Sequence, residues 1–357
     1  MLRGDTHCEL LLSGDGRHLK QVVTGFHELA AAGVITLKAR EYHATRIGES
    51  AVVRALVDGL HVLYDEGDGS DPRREVQDEL DVVDHYFKRT LDRTLVAAWP
   101  TTMRVWPLGL NYAVTSPSNS WSWGTRPLHA RRLAKSVTRR VTGVASRAGI
   151  RDRRILEIRD FEWLPIPSEQ PTALFMTRTW WPQAGASDSA FEESAKRNET
   201  RAACIRAARR EFGSRFYGGF ADDEFARREY GDCLVTEGAG RTTRELLRRA
   251  RAADICVTTT GLQGAIGWKM AEYVASSRAI VSESVVTELP GGFSAGVNYL
   301  EFTTVDGFVA AVDRLLSDAT LRLAMMRANW SYYHSWVRPD ALVLNTLLTV
   351  LGDATED

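Results

Sequence analysis

Apolar residues recur along this chain with two periods, and the switches between them mark its elements. A short apolar run over Glu9 to Leu12 ends in Gly14, Asp15 and Gly16, after which Leu19, Val22, Val23, Phe26 and Leu29 return at helical spacing. The runs Val34 to Ala39, Ala51 to Val57 and Leu60 to Tyr64 read as strands, with Asp58-Gly59 as the turn between the last two. From Pro127 to Ala148, Leu133, Val137, Val141, Val144 and Ala148 step by helical intervals. Phe161 to Pro171, with Pro165, Pro167 and Pro171, reads as an extended linker between domains.

After the linker the pattern restarts. Ala173 to Met176 reads as a strand, Phe191 to Phe212 as a long polar helix, and Arg215 to Tyr217 as a strand ending at Gly218-Gly219. A helix over Thr242 to Ala253, a strand over Ile255 to Val257, a turn over Thr258 to Gly264, a helix to Ser277 and a strand over Ala279 to Val281 follow. Strands alternating with helices at this spacing require crossovers, so this half is predicted to be a parallel, Rossmann-like sheet with its ligand at the carboxyl ends of the strands. Helices near Phe308 to Leu316, Leu321 to Tyr333 and Ala341 to Leu351 close the chain.

A length of 357 residues makes two domains the natural expectation. The 45 basic and 46 acidic residues leave a formal charge of -1, which gives no global argument for nucleic-acid binding. Cys8, Cys204, Cys233 and Cys256 are far apart and form no metal-binding pair, so they read as scattered buried thiols. The start of the chain is too short in apolar residues for a secretory signal, and no run approaches the roughly 18 to 20 needed to span a bilayer. The expectation is a cytoplasmic protein, with possible peripheral contact at the inner membrane face through the basic stretch 126–154. There Arg126, Arg131, Arg132, Lys135, Arg139, Arg140 and Arg147 line one helix face. A solvated helix facing acidic neighbours explains the same pattern.

The chemistry-bearing segment of the second half is ADICVTTTGLQGAIGWKMAEYVASS, in which Gly261, Gly264 and Gly267 separate a buried strand from a helix. Glycines permit close backbone approach, and free amides at a helix start attract phosphate. Lys269 and Glu272 lie three residues apart, side by side on the helix. A lysine near a diphosphate and a carboxylate accepting ribose hydroxyls suit that arrangement; an ordinary exposed Lys–Glu pair fits the spacing equally.

The stretch Thr260 to Ser335, with GWKMAEYVASSRAIVSE and then RLLSDATLRLAMMRANW, resembles the C-terminal domain of GT-B glycosyltransferases of the group 1 type. It is similar in particular to the subgroup that includes the spore-maturation glycosyltransferase-like proteins. The resemblance covers roughly Pro171 to Val343. It implies that Glu272 holds the donor ribose, that Lys269 lies near the phosphates, and that Arg178, after the first strand of this half, contacts the diphosphate. It also implies a last helix that crosses back to the N-terminal domain. Retaining enzymes of this type carry a second glutamate eight residues before the ribose-binding one, where this chain has Gly264, so the stereochemical outcome stays open.

In the first half, YDEGDGSD sets Asp65, Glu66, Asp68 and Asp71 around two glycines after a strand. Asp65 or Asp68 at a strand end would accept a proton from an acceptor hydroxyl; the same residues also make an acidic turn. Among histidines, His85 is the candidate base. Lys88, Arg89, Asn111 and Tyr112 offer cationic, amide and aromatic groups for an acceptor sugar.

The resulting expectation is an α/β protein of two Rossmann-like domains facing a cleft. The N-terminal acceptor-side domain spans 1–165, the C-terminal donor domain, holding Arg178, Gly261, Gly264, Lys269 and Glu272, spans 166–338, and a crossing helix and tail span 339–357. The expected reaction moves a sugar from a nucleotide-diphosphate sugar to a glycan, lipid-linked or small-molecule acceptor, with no metal and no further cofactor. Two rivals share parts of the pattern: a nucleotide-sugar epimerase of the same architecture, and a non-catalytic binding protein of the same fold.

Overall fold

The computed structural model describes residues 6–12, 17–41, 52–70, 77–96, 103–119, 155–181, 187–235, 242–261 and 264–353. The basic helix expected over Pro127 to Ala148, the turn at Gly14 to Gly16, and Asp71 lie outside the described residues. Among those described, no helix is long and apolar enough to cross a membrane.

The chain is mixed α/β, built on two sheets. In the first, β1 (His7–Leu12), β2 (Thr36–Glu41), β3 (Val52–Val57), β4 (Leu60–Asp65), β5 (His85–Lys88) and β6 (Arg104–Pro107) are ordered β2-β1-β3-β4-β5-β6. β1 pairs parallel with β2, and β4, β5 and β6 pair parallel with one another. β3 alone runs against the rest, antiparallel to both β1 and β4. The reversal is written into Asp58-Gly59, whose φ values of 48° and 92° turn the chain back within two residues. Helix α1 (Lys20–Ala31) packs on this sheet through Val22, Val23, Phe26 and Leu29, the residues that recur at helical spacing in the sequence.

The second sheet holds β9 (Ala173–Thr177), β10 (Phe216–Phe220), β11 (Ile255–Thr258), β12 (Ala279–Glu283) and β13 (Leu300–Phe302), ordered β10-β9-β11-β12-β13 and parallel throughout. A minor pair, β7 (Val114–Thr115) and β8 (Leu156–Glu157), lies between the two sheets in sequence. The interior strand β9 is buried along its whole length, with Ala173 and Phe175 in one core and Leu174 and Met176 in the other. That division is the two-residue period of a strand covered on both faces.

Helices α2 (Asp188–Phe212), α6 (Val305–Ser317) and much of α7 (Ala319–Tyr332) build the first of these cores; α4 (Thr243–Ala252) and α5 (Trp268–Ala275) build the second. A short α3 (Glu224–Glu229) follows β10. The oxygen-bearing residues Ser187, Thr242, Thr304 and Asp318 cap α2, α4, α6 and α7, each accepting a backbone N–H of the first turn. Arg322, within the stretch RLLSDATLRLAMMRANW, donates to the carbonyls of Leu315 and Leu316 and so satisfies the end of α6.

The extended linker is pinned along the amino ends of the second sheet. Trp163 N donates to Ala275 O, Ser277 Oγ donates to Trp163 O, and the buried Arg278 donates to the carbonyls of Leu164, Ala253 and Ser276.

The last helix, α8 (Pro339–Asp353), buries Leu342, Val343, Leu347 and Val350 in the core of the first sheet, against α1. Gln21 Nε2 donates to Val337 O at 2.7 Å, and the hydroxyls of Tyr64 and Thr346 lie 3.0 Å apart. The approach depends on Gly25, where a Cβ would stand 2.1 Å from Pro339 O and 2.5 Å from a Val343 methyl. Gly25→Leu is therefore expected to destabilise the protein by about 1–3 kcal/mol or more through overpacking, and to expose α8 to protease before the second sheet. Urea unfolding with limited proteolysis checks this, and an unchanged midpoint would show that the contact carries no weight.

Candidate functional site

The carboxyl ends of β9, β11 and β12 carry a dense polar network. Thr177 ends β9 and Arg178 follows it; Thr259 and Thr260 follow β11; Glu283 ends β12. These strand ends are held from below by α2, whose buried line Ser194, Asn198, Arg201, Ile205, Ala208 and Phe212 is polar in its first half and apolar in its second. Asn198 clamps the loop after β9, accepting from Trp180 N at 2.8 Å and donating to Trp180 O at 2.9 Å. Arg201 donates to Thr259 Oγ1 and Arg178 O, each at 2.9 Å, and to Thr260 O at 3.2 Å. Arg197 donates to Thr260 O and Oγ1, while Thr260 donates from N and Oγ1 to Glu283 Oε2.

Arg197, Asn198, Arg201 and Glu283 were not among the sequence candidates. The signal for Asn198 and Arg201 lay in the seven-residue rhythm of α2, which continues an apolar stripe with polar side chains.

Arg178, Arg201 and Lys269 converge at the end of β9. Lys269 Nζ donates to Met176 O, which ties the first turn of α5 to that strand. Burial pulls the Lys269 ammonium down, Glu272 opposes the shift, and Arg201 and Arg178 add repulsion. Burial, with repulsion from Arg197 and Arg178 and against attraction from Glu283, lowers Arg201 to about 10. Glu272 is buried; burial pushes its carboxyl up and Lys269 holds it down. The exposed-pair reading of Lys269 and Glu272 is thus set aside, since the carboxylate is enclosed. Arg178 has an exposed side chain, its guanidinium 5.8 Å from the Trp180 ring centre. Cations that repel one another in a partly desolvated cleft form a site whose energy falls when an anion enters.

The glycine turn completes this half. Gly261 N donates to Ala265 O at 2.6 Å, and Gly267 stands at the N-cap of α5 with no side-chain cap, leaving first-turn amides uncapped by a side chain. Gly264 has φ of 72°, a left-handed backbone that would cost a glutamate about 1 kcal/mol. The turn is therefore shaped for glycine where the resembling family carries a carboxylate.

The first sheet meets this turn with the carboxyl ends of β4 and β5. Arg89, following β5, donates from Nη2 to Ile266 O at 2.8 Å, and Trp268 packs edge-on against His18 with ring centres 4.9 Å apart. Nearby, Arg93 and Glu288 form a two-pronged ion pair, and Glu288 N donates to Leu91 O. Arg89 thus stands at the junction of the two sheets.

Four candidates of the first half are corrected by their placement. Tyr112 is fully buried, packed edge-on against Phe161 with its hydroxyl 3.1 Å from that of Tyr333, so it is a core residue and no wall of a sugar site. His85 begins β5, at the opposite end from Lys88 and Arg89, and its Nδ1 accepts from Trp106 Nε1 at 3.2 Å. A base there would lie about 10 Å along the strand from the junction. Asp65 and Lys88 are both fully buried and form an ion pair of 3.0 Å, with Asp65 also accepting from Tyr86 Oη and Gly67 N. Those partners occupy the carboxylate, so its role is to hold the loop. Asp68 is largely exposed and pairs with Arg89 at 2.9 Å.

Glu66, in the same acidic run but absent from the sequence candidates for catalysis, is the exceptional one. Its side chain is 1% exposed, and no donor meets either carboxylate oxygen in full hydrogen-bond geometry, the Asn111 amide lying alongside. Burial raises it to about 8, against the attraction of Arg89, the nearby Asn111 amide and Lys88. Asn111 donates to His18 O at 3.1 Å, and its Oδ1 is likewise buried without a donor.

A cavity of about 510 Å³ lined by Leu156, Trp163, Arg244, Leu247, Arg248 and Arg251 lies beside α4, toward the pinned linker. None of the predicted site residues lines it.

The sequence matches no protein-family model and no curated protein. Among solved structures, the chain is similar to the C-terminal domain of a glycosyl transferase group 1 family protein (LpcC) from Francisella tularensis, at 15% identity and a TM-score of 0.34, covering 51% of this chain and 97% of that one. It is similar to the sucrose-phosphate synthase of Thermosynechococcus elongatus at 13% identity and a TM-score of 0.42, covering 94% and 92% of the two chains. It is also similar to WaaG, a glycosyltransferase involved in lipopolysaccharide biosynthesis, at 11% identity and a TM-score of 0.42, covering 96% and 99%.

Proposed function

We propose that this protein is a glycosyltransferase that binds a nucleotide-diphosphate sugar on the second sheet and transfers the sugar to a carbohydrate, lipid-linked or small-molecule acceptor at the first. The observation that carries the proposal is the convergence of Arg178, Arg201 and Lys269 at the carboxyl end of β9, beside the buried Glu272 and the glycine turn. In this reading Arg178, Lys269 and the amides near Gly261 and Gly264 receive the diphosphate, and Glu272 accepts hydrogen bonds from the ribose hydroxyls. Arg201 acts at one remove, by fixing the loops after β9 and β11. The leaving diphosphate is stabilised by groups already in place before the bond breaks.

The resemblance noted in the sequence supports the same assignment, since Lys269 and Glu272 occupy matching positions of its donor helix. The test is a thermal-shift panel of UDP-, GDP-, dTDP- and ADP-sugars. A donor at about 100 times its Kd stabilises the fold by about 2.7 kcal/mol, a shift of a few degrees. Radiolabelled donor incubated without acceptor separates the rivals, because an epimerase isomerises it under those conditions. A panel in which no nucleotide sugar moves the melting curve would sink the proposal.

A further inference from the structure

Buried acceptors without donors are rare in folded proteins, because each forfeits its bonds to water. Three such atoms stand together where the two sheets meet: Glu66 Oε1, Glu66 Oε2 and Asn111 Oδ1. Asn111 Oδ1 accepts in every state and the Glu66 carboxylate accepts at both oxygens once ionised, so the complementary ligand of the ionised site supplies donors. The loop that carries Glu66 is rigid: Gly67 N donates to Asp65 Oδ1 at 2.7 Å, Arg89 Nη1 to Glu66 O at 3.1 Å, and Thr90 Oγ1 to Gly67 O at 3.3 Å. A fixed carboxyl whose bonding capacity is unspent is arranged for an incoming group and contributes nothing to holding the chain.

We propose that Glu66 is the proton acceptor for a hydroxyl of the acceptor substrate, with Asn111 Oδ1 receiving a second hydroxyl, so that the acceptor is a polyhydroxylated molecule bound against the carboxyl end of β4. This rests on the glycosyl-transfer reading above and goes beyond it by naming the base. In the step, the hydroxyl oxygen forms a bond to the anomeric carbon of the donor and its proton passes to Glu66. The bond from that carbon to the diphosphate oxygen breaks, and its electron pair leaves with the diphosphate. Arg89 spans from Glu66 O to Ile266 O on the donor side, so the hydroxyl reaches the carboxylate by parting that cross-sheet contact.

The charged groups facing Glu66 are Arg89, Asp65 and Lys88, and Arg89 is itself paired with Asp68. Burial outweighs their combined effect and leaves the carboxyl titrating at about 8. Activity is accordingly expected to rise with pH through that value and then level, as the ionised form accumulates.

The test compares wild type, Glu66→Gln and Glu66→Asp. Binding of the nucleotide sugars is measured by titration, and turnover by release of labelled sugar to water and to octyl glucoside, octyl mannoside and octyl galactoside. Expected are unchanged donor affinity in all three proteins and a fall of about 10²–10⁴-fold in turnover for Glu66→Gln with loss of the rising pH limb. Glu66→Asp retains part of the rate and keeps the limb. Donor binding with wild-type turnover in Glu66→Gln overturns the role of Glu66 while leaving donor binding intact. Donor binding with no cleavage in wild type, to water or to any glycoside, overturns it as well. Absence of donor binding in wild type removes the glycosyl-transfer reading itself, and this inference with it.

Discussion

Lys88→Met is expected to lower the stability of the protein by about 3–5 kcal/mol, a large share of the total for a folded domain. Lys88 and Asp65 are both 0% exposed and 3.0 Å apart, so removing the cation strands a carboxylate in an enclosed place. The same carboxylate accepts from Tyr86 Oη and from Gly67 N, which means that its disturbance travels into the loop carrying Glu66. Asp65→Asn combined with Lys88→Met removes both charges and keeps an acceptor, and should recover much of the loss, because desolvating an ion pair offsets most of what its attraction contributes. Urea denaturation of wild type, single and double variants reads this directly. A single variant within about 0.5 kcal/mol of wild type would show that the pair is dispensable, as surface substitutions usually are.

Arg201→Met is expected to loosen nucleoside diphosphate binding by about 10–100-fold and to destabilise the second sheet by about 2–4 kcal/mol, because hydrogen bonds from a charged donor are worth about 1.5–3 kcal/mol each. The arginine is buried and serves three acceptors on two loops, Thr259 Oγ1, Arg178 O and Thr260 O. Arg201→Lys should restore little, since an ammonium is a point charge that cannot reproduce the planar fork. If Arg201→Lys binds nucleotide as wild type does, positive charge alone is sufficient and the positioning role is wrong.

Much of the second sheet could be read from periodicity. β9, β11 and β12 are short apolar runs bounded by turn residues, and the helices between them obey their own period, so the parallel layer follows from connection length. Lys269 and Glu272 were readable because three residues on a helix fix adjacency. β5 escaped notice as a strand: its four residues, His85, Tyr86, Phe87 and Lys88, are all buried, so no alternation marks them, and three are polar or amphipathic. That miss made His85 look like a catalytic base, when position along the strand removes it.

Which carboxylate of the acidic run matters was not in the local sequence. Asp65 is claimed by Lys88, twenty-three positions away, and Glu66 is left bare by the same fold. Tertiary partners decide such roles, and spacing within the run does not carry them. Arg201 was hidden for a related reason, as one of several arginines on a polar helix, distinguished only by facing inward in line with Ile205, Ala208 and Phe212.

Donor binding at the end of β9 is the claim on which the rest depends, and calorimetric titration of UDP, GDP, dTDP and ADP into wild type and Lys269→Ala tests it most directly. The account predicts saturable binding of at least one nucleotide to wild type, weakened by about 10-fold or more in Lys269→Ala and by added salt. Equal affinity in the two proteins, or no binding of any nucleotide to wild type, would contradict it.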